Sequence, residues 1–208
     1  MHLHSRLFGQ RELFFAVVVS AVLIFSAQGV SAADAPGKGP GVFPVFGEGP
    51  VEVRIYASYF CPPCRSLEPV LEPVLEELVD AGKIRVIFVD LPVGPAMPYI
   101  RHFLYALNND KSMKNAFHVR HILFDLAKKD GDADDIREAF EKEGISYEPF
   151  DTKEIFMTYN QYLKEDYIRR TPSASIRKDG TSITHMGGGN ILSALEDLKN
   201  DKNGDGEK

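Results

Sequence analysis

The sequence predicts an α/β domain: a central mixed sheet flanked by helices, with a helical subdomain inserted partway along the chain. Three observations carry this. Between residues 51 and 91, two strand-like runs bracket one long amphipathic helix pattern. Residues 97–169 then hold four helix-like runs with no strand between them. From Thr171 to about residue 199 the chain reads as a hairpin followed by a last helix. The only two cysteines, Cys61 and Cys64, stand where the first strand meets the first helix.

In chain order, Arg6 and Arg11 form a basic start, Leu13 to Ala27 is a largely apolar run, and Val30-Ser31-Ala32-Ala33 supplies small residues. This is a signal-peptide pattern over residues 1–33. The apolar run falls short of the roughly 20 residues a membrane span needs. No cysteine stands just after it, so a lipoprotein anchor is not expected. The expected destination is the periplasm, or the medium where there is no outer membrane. The formal charge of −6 becomes −7 once Arg6, Arg11 and Glu12 are removed. An acidic mature chain of about 175 residues fits one domain and argues against nucleic acid or anionic membrane surfaces as partners.

Residues 34–50 are rich in Gly and Pro and read as a leader, ending in a short edge segment around Val42-Phe43-Pro44-Val45-Phe46. The domain proper is expected over 51–199. Val51 to Ala57 alternates apolar and polar, a strand period. Leu67, Val70, Leu71, Val74, Leu75, Leu78 and Val79 then recur at helix spacing, with Glu68, Glu72, Glu76, Glu77 and Asp80 read as a solvated face and Gly82 as the stop. Lys83 to Asp90 reads as a buried strand, so the three elements form a right-handed βαβ unit with a parallel pair.

In the insertion, the first helix turns Ile100, Phe103, Leu104 and Leu107 to one face. The second turns Ala116, Val119, Ile122, Leu123, Leu126 and Ala127 inward. The third, Asp132 to Glu143, buries Ile136, Ala139 and Phe140. The fourth starts at Asp151 with Glu154 completing a capping box, and buries Ile155, Tyr159, Tyr162 and Leu163. Thr171 to Arg177 and Thr181 to Met186 then pair through a Lys178-Asp179-Gly180 turn. The glycines 187–189 give close backbone approach before a helix bearing Ile191, Leu192, Leu195 and Leu198, and a polar tail covers 200–208.

The chemistry lies in Phe60-Cys61-Pro62-Pro63-Cys64. Cys61 sits at or just before a helix N-terminus, where the partial positive charge and free N–H groups favour a thiolate. Cys64 lies one turn on, placed to attack a mixed disulfide on Cys61. A purely structural disulfide would close too short a loop to matter. A zinc site would need two more ligands, and no further cysteine exists. The reading is a redox-active dithiol, with Cys61 as nucleophile and Cys64 as resolving thiol. Its reaction requires no separate cofactor and no metal.

Tyr56 to Leu78 resembles the active-site strand, turn and helix of the thioredoxin superfamily. Pro69, eight residues after Cys61, matches its helix-kinking proline. The aromatic approach Ser58-Tyr59-Phe60 and the size of the helical insertion resemble DsbA-type periplasmic oxidoreductases. Pro172, Gly180 and Gly188 stand at the offsets of the superfamily's cis-proline, turn glycine and pre-helix glycine. The resemblance implies that Pro172 is cis and that Thr171 and Pro172 present backbone groups to a bound substrate. It also implies protein or peptide thiols and disulfides as substrates, with a membrane or soluble partner that recycles the dithiol. One departure stands out. The family's buried acid, six residues before the first cysteine, is replaced by Ile55, which leaves the proton path of the resolving thiol open. Pro62 and Pro63 have no N–H to donate to the Cys61 sulfur, and no histidine separates the cysteines. A couple more reducing than that of DsbA is therefore expected.

Other candidates are weaker. His118 and His121 share a helix face but fit two ordinary surface residues. His185 and Met186 could join Cys61 and Cys64 in a copper(I) site, the alternative of another class. No exposed dimerisation arm is evident, so a monomer is the default.

Overall fold

The computed structural model describes residues 43–200. The signal-peptide reading of 1–33, the leader up to residue 42 and the tail after Asn200 lie outside the described residues. Five strands are described: β1 (Val45–Phe46), β2 (Val51–Ala57), β3 (Ile84–Asp90), β4 (Ser173–Lys178) and β5 (Thr181–Met186). They form one sheet in the order β1-β3-β2-β4-β5. The helices are α1 (Pro62–Asp80), α2 (Ala96–Asn109), α3 (Met113–Ala127), α4 (Ala133–Lys142), α5 (Lys153–Glu165) and α6 (Gly188–Asn200). This is a thioredoxin-like fold with helices α2 to α5 inserted between β3 and β4.

Strands β2 and β3 run parallel, in register from Val51↔Ile84 to Ala57↔Asp90. Helix α1 is the crossover between them, as a parallel pair requires. Strand β1 lies antiparallel on β3, at the sheet edge, with Pro44 just before it. Strand β4 lies antiparallel on β2, and β5 returns beside it. The return turns through Asp179 and Gly180, both at positive φ (51° and 76°). That is the backbone twist a two-residue hairpin favours, and Gly supplies it without strain. Helices α1 and α6 pack together, where a Cβ on Gly188 would meet Leu67 Cδ1 at 3.3 Å. Of the three glycines, the close approach belongs to Gly188.

The buried face of α1 is not the one its leucines and valines suggest. Cys64, Leu67, Glu68, Leu71, Leu75 and Leu78 are buried, whereas Val70 is 48% exposed. At about 100° per residue the buried arc centres between Cys64 and Leu71, so Glu68 falls about 50° from its middle and Val70 about 110°. Glu68 is therefore not part of a solvated face. It binds Arg120 of α3, a guanidinium with no solvent exposure. Arg120 also donates to both oxygens of Asp90 at the end of β3, at 3.1 and 3.0 Å. Around it lie the rings of Phe88, Phe103 and Phe124.

A second ionic cluster closes the insertion. Arg54 in β2 is buried, contrary to its place on the polar side of the strand alternation. Its Nε donates to Glu52 at 2.8 Å and its Nη1 to Glu165 at 3.0 Å and Asp166 at 3.3 Å. Its guanidinium carbon stands 3.5 Å from the Tyr162 ring centroid. Elsewhere in the insertion, Asp132 and Asp135 form a reciprocal capping box on α4. The box expected from Asp151 and Glu154 is absent. Helix α5 begins one residue later than that reading, with buried Thr152 at the N-cap position but making no side-chain cap hydrogen bond, and the Asp151 carboxylate accepts from Lys153 N at 2.9 Å. Ala139, Ile122, Leu126, Tyr162 and Leu163 are only half-buried.

Two outcomes follow from this packing. Arg120→Met leaves two carboxylates buried without a cation. It should lower the unfolding free energy by about 3–5 kcal/mol in urea titrations near neutral pH, and by less in acid, where the carboxylates take up protons. His102 is buried among Tyr105, Phe140 and Tyr147, with Nδ1 2.8 Å from the Pro98 carbonyl. Burial holds its pKa below the usual histidine value. The folded state thus refuses a proton that the unfolded chain accepts below pH about 6.5. Stability from this group is present above that pH and is lost as pH falls through the folded value. His102→Phe should flatten that part of a urea-midpoint profile.

Candidate active site

The end of β2 delivers the chain into a tight turn, in which Cys61 N donates to Ser58 O at 3.0 Å. Tyr59 and Phe60 anchor this turn in the insertion. The Tyr59 ring packs on Tyr99 and Phe124 and its hydroxyl donates to Asp90 at 3.2 Å. Phe60 meets Tyr99 edge to face. Cys61 is the N-cap of α1, and Pro62 and Pro63 form its exposed first turn. Proline suits that position because its missing N–H has no intrahelical partner to lose there.

The two sulfurs sit in different surroundings. Cys61 is partly exposed, and Cys64 is buried at 2% exposure. Burial, reinforced by a hydrogen bond with Cys61, pushes the Cys64 thiol up to about 12. The Cys61 thiol donates to the Thr171 carbonyl at 3.5 Å. The Thr171–Pro172 peptide bond is cis, and Pro172 O accepts from Gly187 N at 2.9 Å, which fixes the loop against the start of α6. The structure therefore brings Phe60, Cys61, Pro62, Pro63, Cys64, Thr171 and Pro172 to one end of the sheet.

The backbone around Cys61 sharpens one expectation. With Pro62 and Pro63 lacking an N–H, the next amides along the helix that could serve the sulfur are Cys64 N and Arg65 N. Both bond instead to the Cys61 carbonyl, at 3.0 and 3.1 Å.

The histidines separate from this site. His118 is exposed, and His121 Nε2 lies 3.3 Å from Glu72. His185 and Met186 are neighbours in β5, paired with Ala174 and Ser173. Successive strand residues project to opposite faces, so the two cannot both face the dithiol. Three residues that sequence reading did not connect with the site are linked to its elements: Glu68 on α1, Asp90 bonded to Tyr59 of the cysteine turn, and Arg120 joining the two.

A thioredoxin family model matches residues 47–186, and the chain belongs to that family. No curated protein matches. Solved structures with this fold include Wolbachia pipientis α-DsbA1, at 16% identity and a TM-score of 0.59, with 76% of this chain and 90% of that one covered. Pseudomonas aeruginosa DsbA2 matches at 18% identity and a TM-score of 0.52, over 78% and 97%. A periplasmic thioredoxin-like protein from Salmonella enterica serovar Typhimurium matches at 22% identity and a TM-score of 0.55, over 75% and 90%. At these identities the likeness is one of fold. No helix among the described residues is long and apolar enough to cross a membrane.

The difference in burial predicts selective alkylation. Iodoacetamide at pH 8 should modify Cys61 of the reduced, folded protein and spare Cys64 until denaturant is added, read by peptide mass spectrometry.

Proposed function

We propose that this protein is an exported thiol–disulfide oxidoreductase that exchanges disulfides with protein substrates, in the manner of DsbA, through Cys61 and Cys64. The observation that carries this is the pairing of a reachable sulfur at a helix N-cap with a buried sulfur one turn behind it, beside a cis-proline loop.

As a reductant, the Cys61 thiolate attacks a substrate disulfide, and the first substrate sulfur leaves as a thiolate. A mixed disulfide now joins Cys61 to the substrate. The Cys64 sulfur attacks Cys61, the second substrate sulfur leaves with the bonding pair, and a Cys61–Cys64 disulfide remains. As an oxidant, the same steps run backwards from that disulfide. No separate cofactor is needed, since the dithiol holds the two electrons and gives them to the substrate as the Cys61–Cys64 bond forms. Thr171 and Pro172 offer backbone groups for a substrate strand lying across the dithiol. A membrane or soluble partner would reset the couple, and the working unit is a monomer.

The leader pattern in residues 1–33 supports export, and the Salmonella structure of the same fold is described as periplasmic. A reductase or isomerase of the same fold is the second reading. It is favoured by one observation: the amides nearest the Cys61 sulfur are taken up by the Cys61 carbonyl. Fewer donors to the thiolate mean a less stabilised reduced form and a more reducing couple.

Turnover of a peptide disulfide with a glutathione recycling system tests the proposal. Cys61→Ser should abolish it. Cys64→Ser should stop after one event and accumulate a mixed disulfide at Cys61, visible by mass. Full turnover in the Cys61→Ser variant would sink the proposal.

A further inference from the structure

The oxidoreductase reading leaves one step without an agent. Cys64 attacks the mixed disulfide as a thiolate, yet it is a buried thiol. Its proton must pass to a group inside the protein. One turn further along α1, on the same buried arc, Glu68 belongs to a dry ionic cluster with one carboxylate too many. Arg120, fully buried, holds Glu68 along one edge and Asp90 along another. Glu68 and Asp90 are themselves 3% and 0% exposed. One cation against two carboxylates leaves a net charge of −1 where water is excluded, and such a cluster takes up a proton readily.

The cluster is aimed at Cys64 by two independent pieces of backbone geometry. Glu68 is four residues after Cys64 on α1, and both side chains lie in the buried arc, so they are neighbours on one helix face at about 5–6 Å between Cβ atoms. Asp90 pairs with Ala57, and Ile55 pairs with Phe88. Directly paired residues share a sheet face, as do residues two apart. Asp90 therefore stands on the face of Ile55, one strand over and two residues nearer the cysteine turn. Its carboxylate also accepts from Tyr59 in that turn. Burial raises the Asp90 carboxyl from its ordinary value, against the Arg120 charge that lowers it.

The other ionisable groups facing the cluster are tyrosines. Tyr99 of α2 packs on Tyr59. Tyr159 of α5 feels the Asp90 and Arg120 charges, and its buried hydroxyl has no hydrogen-bond partner among the described residues. Burial raises the pKa of each of these phenols, so they stay neutral through the working range.

We infer that the Glu68–Arg120–Asp90 cluster is the proton acceptor for Cys64 in this chain, filling the place that Ile55 leaves empty. When Cys64 attacks, its S–H proton passes to a cluster carboxylate. Its sulfur lone pair forms the Cys61–Cys64 bond, and the old sulfur–sulfur pair leaves on the substrate thiolate. The proton then returns to that thiolate or to water. In the oxidising direction Cys64 leaves as a thiolate and recovers the proton from the cluster. Glu68 and Asp90 act through Cys64 and do not touch substrate, so they are positioning residues with a proton function.

The test follows release of the two thiols of a fluorescent peptide disulfide by stopped flow, from pH 5 to 10. The first release reports Cys61 attack and the second reports Cys64. In Glu68→Gln and Asp90→Asn, the second release should slow at least tenfold near pH 7. That deficit should close towards pH 10, where solvent base takes the proton, and the first release should be unchanged. A deficit equal at all pH values, or none, overturns the inference. Infrared difference spectra of the wild type need no variant. Oxidised minus reduced should show a protonated buried carboxyl that changes, and an unchanged carboxyl region overturns the inference. A wild type that releases no second thiol would overturn the oxidoreductase reading itself, which is a separate failure.

Discussion

One guanidinium holds the catalytic end of this fold together. Arg120 reaches from α3 of the insertion to Glu68 on the active-site helix and to Asp90 at the end of β3. Among the described residues no other ion pair ties β3 to either helix; α1 and α3 meet again only where His121 Nε2 lies 3.3 Å from Glu72. The attraction is strong because the pocket is dry, and desolvating three charges is costly for the same reason. Apolar residues of similar volume could fill the space. Charge adds a fixed angle between helix, strand and insertion, and hence a fixed place for the cysteine turn between them. Tyr59 extends the arrangement into the turn through its bond to Asp90.

Within that frame the two cysteines differ by burial rather than by neighbouring charge alone. Cys61 caps the helix at the protein surface and Cys64 faces inward one turn later. The double proline makes the first turn rigid and removes two donors, and the next two amides close the helix onto the Cys61 carbonyl. The other side of the dithiol is completed by a loop from far along the chain, Thr171 and cis Pro172, leading into β4 beside β2. Sequence-distant parts thus converge because a central parallel strand and its antiparallel neighbour end at the same edge.

Much of this was legible in the chain. Periodicity marks the strands and the six helices, since each buries one face against a common core. The Cys61–Cys64 spacing and the offsets of Pro172, Gly180 and Gly188 mark the site. Polar residues inside the core were misread. Glu68 looked like its solvated neighbours Glu72 and Glu76, and its burial depends on a partner 52 residues away. A signal was present even so. Arg120 interrupts the inward stripe of Ala116, Phe117, Leu123 and Phe124, and Glu68 falls at i+4 from Cys64, inside the stripe of Leu67 and Leu71. A lone acid and a lone base on two inward stripes are candidates to find each other. Arg54 repeats the lesson in β2. The α5 boundary lies one residue later than read, with buried Thr152 and not Asp151 at the N-cap position.

The central claim is that Cys61 and Cys64 form one two-electron couple. The most direct measurement is the equilibrium between dithiol and disulfide across glutathione buffers, followed by mass and by alkylation. The account predicts a single intramolecular disulfide with a potential between about −120 mV, where DsbA lies, and about −270 mV, where thioredoxin lies. A protein that forms only separate mixed disulfides with glutathione on each cysteine, with no Cys61–Cys64 bond at any buffer ratio, would contradict it.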